Sequence, residues 1–308
     1  MELQREEQKQ EFELDDFCGA DEDPFGDSQD GLITEDEFIS NRVYVKKSFV
    51  QKSNLLAMDA KFDFSALEQD AANYITTLIE QPVEDYETKQ VQYKVRYEFN
   101  LSDLCKATGT AKSGRAYSRF REAIRNLKKK DVLVPSPKGT FVSVSWLSYF
   151  EFDPHSGRIV ISIDDKMIPY VCDLHNKFLS YQPEYTLLMN GKYSKRLYEK
   201  LKAYLNMISA KSNPEHDASI ITTYEIALDK LKSEFSLDGI DSYNHFGVFR
   251  TKILNVALKE INEMTDINID YTAVKSSGKA VDSIIFSLSY KDEVSKMEVD
   301  KRNILKVC

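Results

Sequence analysis

The segment FREAIRN at 120–126 returns 129 residues later as FRTKILN at 249–255, so the pattern F-R-x-x-I-x-N occurs twice in a chain of 308 residues. A Phe and an Ile four positions apart share one face of a helix. Each segment is followed, after a charged break, by two alternating runs: DVLVPSPKGTFVSVSWLSYFEF at 131–152 and INIDYTAVKSSGKAVDSIIFSLSY at 267–290. Alternation with period two marks strands, and the intervening Pro, Gly and Ser residues mark turns. The same helix running twice into a hairpin decides the architecture.

Reading outward, NRVYVKKSFVQKSNLL (41–56) suits an arm or short strand, and SALEQDAANYITTLIEQ (65–81) predicts a helix. Ser65 is placed to cap that helix, with Glu68 at the reciprocal capping-box position. KQVQYKVRYEF (89–99) predicts a strand, LSDLCKATG a short helix, residues 113–130 a longer one and GRIVISI (157–163) a further strand. The second half predicts helices over 181–209, 222–235 and 242–266. Both halves thus order as helix, helix, helix, hairpin, the succession of a winged helix-turn-helix module whose third helix enters the major groove. The predicted fold is α+β: two tandem winged helix-turn-helix domains in pseudo-two-fold relation, 41–165 and 166–292. An acidic disordered tail (1–40) precedes them and a short C-terminal tail (293–308) follows.

The composition, 42% hydrophobic and 30% charged, is that of a soluble chain long enough for two cores. No apolar run could span a bilayer, and MELQREEQKQ lacks the apolar core of a secretory signal. Cys18, Cys105, Cys172 and Cys308 form no C-x-x-C pair, which points to reduced thiols in a cytoplasm. The net charge of −9 is unevenly spread. Residues 1–40 hold fifteen acids and two bases (−13), leaving 35 acids and 39 bases (+4) in the remainder. Such an acidic segment is expected to be disordered and to compete with phosphates for the basic body.

On a helical wheel of the third helix of the second half, Phe246, Phe249, Ile253, Val256, Ala257 and Met264 form a core stripe. Glu260 falls inside that stripe, where an internal paired carboxylate is expected. The opposite arc collects Asn244, Thr251, Lys252, Asn255, Lys259 and Asn262, with Arg250 on its border and His245 at the helix start. Amide, guanidinium and methyl groups of this kind read base edges. Lys192, Ser194, Lys195 and Arg196 in GKYSKR suit a phosphate at a helix start, and Lys275 and Lys279 sit at the tip of the second hairpin. In the first half, Arg115, Arg119, Arg121 and Arg125 line one helix face without amides, a pattern suited to backbone contact. No P-loop occurs, and the four histidines (155, 175, 216, 245) form no ligand pair. No catalytic residue, metal or cofactor is therefore predicted, and the chain is not read as an enzyme.

Several further stretches carry a family likeness: KSNLL (52–56), IPYVCDLHNKFLSYQ (168–182), YSKRLYEKL (193–201), ALKEINEMTDINIDY (257–271) and GKAVDSIIFSL (278–288). Through them the chain resembles the iteron-binding plasmid replication initiators built from two winged-helix domains. It departs from that family's consecutive basic residues after the recognition-helix Phe, having Arg250, Thr251 and Lys252 there. The resemblance implies a protein that binds double-stranded direct repeats at a plasmid origin. The C-terminal domain would dominate readout, while the N-terminal one would contact backbone and form a homodimer. It further implies opening of adjacent A·T-rich DNA, recruitment of the host initiator and replicative helicase, and repression of its own gene. A tandem winged-helix transcription regulator and a scaffold that does not bind DNA are the competing readings. An array of in-phase direct repeats beside the gene would favour the initiator over both.

Overall fold

In the computed structural model, which describes residues 49–80, 82–84, 91–136, 140–172, 174, 178–275, 278 and 280–307, the first element is β1 (Val50–Ser53). The segment 1–40 and Lys279 lie outside these residues. Ser53 caps α1 (Asn54–Met58) by accepting from the Leu56 N–H. The next helix, α2 (Ala66–Thr77), starts with the expected capping box. Ser65 Oγ accepts from the Glu68 N–H at 3.3 Å, and Glu68 Oε2 accepts from the Ser65 N–H at 2.7 Å. The strand expected over 89–99 is instead divided: β2 (Val83–Glu84) pairs with β3 (Val91–Gln92), and β4 (Arg96–Asn100) is separate. After α3 (Leu101–Ala107) comes α4 (Gly114–Leu127), capped by Ser113. The first hairpin is β5 (Asp131–Pro135) with β6 (Phe141–Ser145). A second, β7 (Leu147–Phe152) with β8 (Arg158–Ile163), joins β4 in a sheet of order β4-β8-β7. Beyond α5 (Ile168–Val171), β9 (Phe178–Tyr181) returns to pair antiparallel with β1.

The long helix expected from residue 181 resolves into that strand, a short α6 (Glu184–Leu187) and α7 (Lys192–Ser212). Gly191 marks the break before α7. A Cβ there would lie 2.5 Å from Ser194 Oγ and 2.7 Å from Glu260 Oε2, so the close approach of the carboxylate requires glycine. The helix expected over 222–235 begins as a strand, β10 (Thr222–Ala227), before α8 (Leu228–Glu234). The β-branched Thr222, Thr223 and Ile226 suit a strand, and β12 presents an edge along which all six residues pair. A 3₁₀ turn (Asp241–Asn244) precedes α9 (Phe246–Phe249), a π turn (Arg250–Leu254) and α10 (Asn255–Met264). The hairpin of β11 (Ile267–Val274) and β12 (Ser283–Tyr290) follows, giving the order β10-β12-β11. The expected C-terminal tail is a helix, α11 (Glu293–Val307), with Val299 packed into the core of the second half and Ile304 also buried. Asn303 also donates to the Met264 carbonyl at 2.9 Å.

Each half has its own core. Phe64, Phe120 and Trp146 anchor the first; Tyr198, Phe249 and Phe286 anchor the second. Burying a side chain of this size contributes roughly 1.5–3 kcal/mol. Residues from Phe49 onward form a single compact unit, and the join between the halves is polar. Lys52 donates to Asn73 Oδ1 at 2.6 Å and to Glu199 Oε1 at 2.7 Å. Lys195 pairs with Asp70 and donates to the Thr186 carbonyl. Lys200, paired with Glu234 of its own half at 2.9 Å, donates across the join to the Met58 carbonyl at 2.5 Å. Burial pushes Asp70 up to about 6 against the pull of Lys195. Burial also pushes Glu199 upward, but the charge and hydrogen bond of Lys52, helped by the Tyr181 hydroxyl, hold it below the usual carboxylate range.

Candidate nucleic-acid interface

The helix that follows α8 in the second half winds irregularly where the expected reading residues sit. The Asn255 N–H donates to the Arg250 carbonyl, an i→i+5 bond that inserts one residue into the helix. Its buried side chains are Phe249, Ile253, Leu254, Ala257 and Ile261. A uniform wheel places Val256 inside and leaves Leu254 out; the π turn reverses both, leaving Val256 43% exposed. Arg250, Thr251, Lys252, Asn255 and Lys259 all face solvent, as do Asn244 and His245 just before them. Thr251 Oγ1 donates to the Gly247 carbonyl at 2.9 Å. No acid lies between residues 242 and 259, so an approaching phosphate or base edge meets donors and cations.

Asn262 of the expected polar arc and Glu260 of the expected core stripe serve the fold. The Asn262 amide bridges both ways to the hairpin, donating to the Ile269 carbonyl at 2.9 Å and accepting from the Ile269 N–H at 2.7 Å. Glu260 accepts from the N–H groups of Asn190 and Gly191 at 3.0 and 3.1 Å, tying the start of α7 to the recognition helix. Hydrogen bonds of this kind to a charged acceptor are worth about 1.5–3 kcal/mol each. At the hairpin tip, Lys275 is exposed.

The GKYSKR segment requires the clearest correction. Ser194, Lys195 and Arg196 are 1%, 0% and 5% exposed, so none is offered to a phosphate. Lys195 and Arg196 lie between the halves. Lys195 meets Asp70, while Arg196 donates to the Ala60 carbonyl at 2.6 Å with its guanidinium 3.8 Å from the Phe62 ring centroid. Burial holds the Arg196 guanidinium down at about 10. Lys192, at the rim, bonds Asp63 at 2.8 Å. The counter-charges come from residues more than a hundred positions earlier, which local spacing cannot reveal.

In the first half, Arg115, Arg119, Arg121 and Arg125 are exposed along α4. Arg125 pairs with Glu122 at 2.8 Å and the Arg121 guanidinium lies 5.2 Å from the Phe152 ring centroid, whereas Arg115 and Arg119 project from the first turns. Asn126, the last residue of the motif, turns inward and donates to Glu68 Oε1 at 3.0 Å. That carboxylate also receives Lys130 at 2.7 Å, so the capping box of α2 grips the far end of α4. Among the described residues, no cluster of His, Cys, Asp and Glu could hold a metal ion, and no helix is long and apolar enough to cross a membrane.

Two modules, each with a helix lying exposed beside a hairpin, define a tandem winged-helix protein of the kind that meets nucleic acid through those helices. The chain belongs to the initiator replication protein family: its WH1 model matches residues 49–202 and its WH2 model residues 227–288. A replication initiation protein of Escherichia coli is 27% identical over 194 residues, covering 62% of this chain and 56% of that protein. The PI protein of Escherichia coli is 24% identical over 154 residues, 46% of each. The chain thus spans about half the length of the curated relatives it matches. The crystal structure of the Pi initiator protein in complex with iteron DNA shares the fold, with a TM-score of 0.59 at 18% identity, covering 80% of this chain and 99% of that one.

Proposed function

We propose that the chain is a plasmid replication initiator that binds direct repeats at its origin without any catalytic step of its own. The observation that carries this reading is the outward, acid-free face of Arg250, Thr251, Lys252 and Asn255 on the second recognition helix of a two-module initiator fold. In this reading the second half reads base edges in the major groove. The first half, through Arg115 and Arg119, adds phosphate contacts that hold the register and carry no sequence information. Asn244, His245 and Lys259 extend the contact at the two ends of the helix, and Lys275 and Lys279 reach the backbone beside it. With no nucleotide-binding loop in the sequence, the energy that opens an adjacent A·T-rich segment comes from binding and bending the repeats. A homodimer formed through the first half would repress the gene, while the monomer on the repeats would engage the host initiator and replicative helicase. The protein would act in the bacterial cytoplasm.

Binding-site selection from randomised duplexes, followed by a titration across salt concentrations, tests the reading. A repeated motif of about two helical turns, recovered also in tandem beside the gene, is the expected result. Recovery of a lone operator with no tandem array would favour a transcription regulator, and absence of salt-dependent binding would sink both.

A further inference from the structure

The motif residues Arg250 and Asn255 are five positions apart. In a regular α-helix that spacing turns two side chains about 140° away from each other. The π turn closes an i→i+5 bond between these two residues and brings them to one side of the helix. Asn255 meets a third group there. The Tyr271 hydroxyl, from β11, donates to Asn255 Oδ1 at 2.8 Å. Burial pushes the Tyr271 phenol up, with the Arg250 guanidinium nearby pulling it back, so it is a neutral donor at physiological pH. Its ring is held from behind by Phe286, with centroids 6.4 Å apart.

We propose that Tyr271 is a positioning residue that fixes the Asn255 amide with its NH₂ group outward, so that Arg250 and Asn255 together present a surface made only of donors. A free asparagine pairs with adenine by donating to N7 and accepting from the N6 amine. With Oδ1 turned toward the hairpin, the second half of that pairing is lost. A surface of guanidinium and amide donors instead fits an edge made of acceptors, N7 and O6 of guanine above all, and disfavours the adenine amine. Tyr271 thereby sets base choice without touching DNA, and couples the hairpin to the reading helix. The inference rests on the reading of this helix as the one that contacts bases.

The test compares wild-type full-length chain with Tyr271→Phe, Asn255→Ala, Asn255→Asp and Arg250→Ala. Each variant is run through selection from randomised duplexes and then titrated on the selected duplex with each base substituted in turn. Wild type is expected to prefer guanine over adenine by about tenfold at the position that Asn255→Ala makes degenerate, in keeping with the discrimination typical of a well-placed side chain. Tyr271→Phe, which keeps the ring against Phe286, should erase most of that preference by freeing the amide to pair with adenine. Its affinity for random duplex and its melting temperature should stay near wild type, which a merely structural role would not allow. Asn255→Asp keeps the acceptor for Tyr271 but points an oxygen outward, so preference should move toward the amines of cytosine or adenine. Should Tyr271→Phe melt early, the Asn255→Asp shift alone decides. A guanine preference untouched by Tyr271→Phe, or an adenine selected by wild type at that position, would overturn the proposal. If Arg250→Ala and Asn255→Ala both left the selected motif intact, the fault would lie in the assignment of the reading helix itself.

Discussion

FREAIRN and FRTKILN place the same residue types at the same positions, and the two halves use them in opposite senses. In α4, a regular helix, Arg121 lies along Phe152 and Asn126 turns inward to Glu68, so both motif ends serve the fold. In the second half, a single extra residue in the winding presents Arg250 and Asn255 together on the outer face. The Phe and Ile are core residues in both. Where a polar residue points is therefore set by helix winding as much as by its place in a pattern. The carboxylates follow a matching exchange. Glu68, at the start of α2, grips the end of the recognition helix of its half, whereas Glu260, on the other recognition helix, grips the start of α7.

The largest effects should show where the halves agree. Phe120→Ala and Phe249→Ala, each removing a fully buried ring, should cost about 3–5 kcal/mol in urea unfolding. A cost under about 1 kcal/mol in either half would end the equivalence of the two motifs. The asparagines should then separate the halves. Asn126→Ala should destabilise by about 1–3 kcal/mol, since it strips a partner from the buried Glu68, and should leave base preference unchanged. Asn255→Ala should alter base preference with stability within about 0.5 kcal/mol of wild type. Identical behaviour of the two in both assays would break the contrast.

The arginines sharpen it further. Arg250→Ala should cost roughly 1–3 kcal/mol on the selected repeat and much less on random duplex. Arg119→Ala should weaken all sequences alike and lower the salt slope by about one. If Arg119→Ala changed which repeat positions matter, the roles of the halves would be exchanged. The smallest effect concerns the acidic segment. Deleting residues 1–40 removes thirteen net negative charges, and should raise affinity for random duplex at low salt while leaving the repeat preference in place. Equal affinity with and without the segment at low ionic strength would reduce it to a spacer.

What could be read from the chain were features with local causes: the Ser65–Glu68 capping box, the two hairpins, and Phe249 and Ile253 as core. What escaped depends on distant or conformational partners. β10 is a strand because β12 offers it an edge some sixty residues later in sequence, and nothing within 222–227 settles that by itself. Leu254 could be placed inside only by knowing that the helix winds as π at that point. Lys195 and Arg196 resemble an exposed basic helix start until Asp70 and Phe62 are brought against them. Asn262 and Asn255 carry the same side chain seven residues apart, and only the hairpin packed on the helix shows that one is fully engaged within the fold and the other has its amino group free.

The charges sealed between the halves bear on how such a chain can change over generations. Asp70 lies in the first module and Lys195 in the second; Lys52 and Glu199 are divided likewise. Grafting one module onto a foreign neighbour would bury a lone ion wherever the incoming surface lacked its counterpart, a fault that costs about 3–5 kcal/mol for each broken pair. Against a typical stability of roughly 5–15 kcal/mol, two such faults can unfold a hybrid. If the chain reads repeats as proposed, new specificities are easier to reach by substitutions on the outer face of α9 and α10 than by shuffling whole modules, and the two halves are expected to be inherited as one piece.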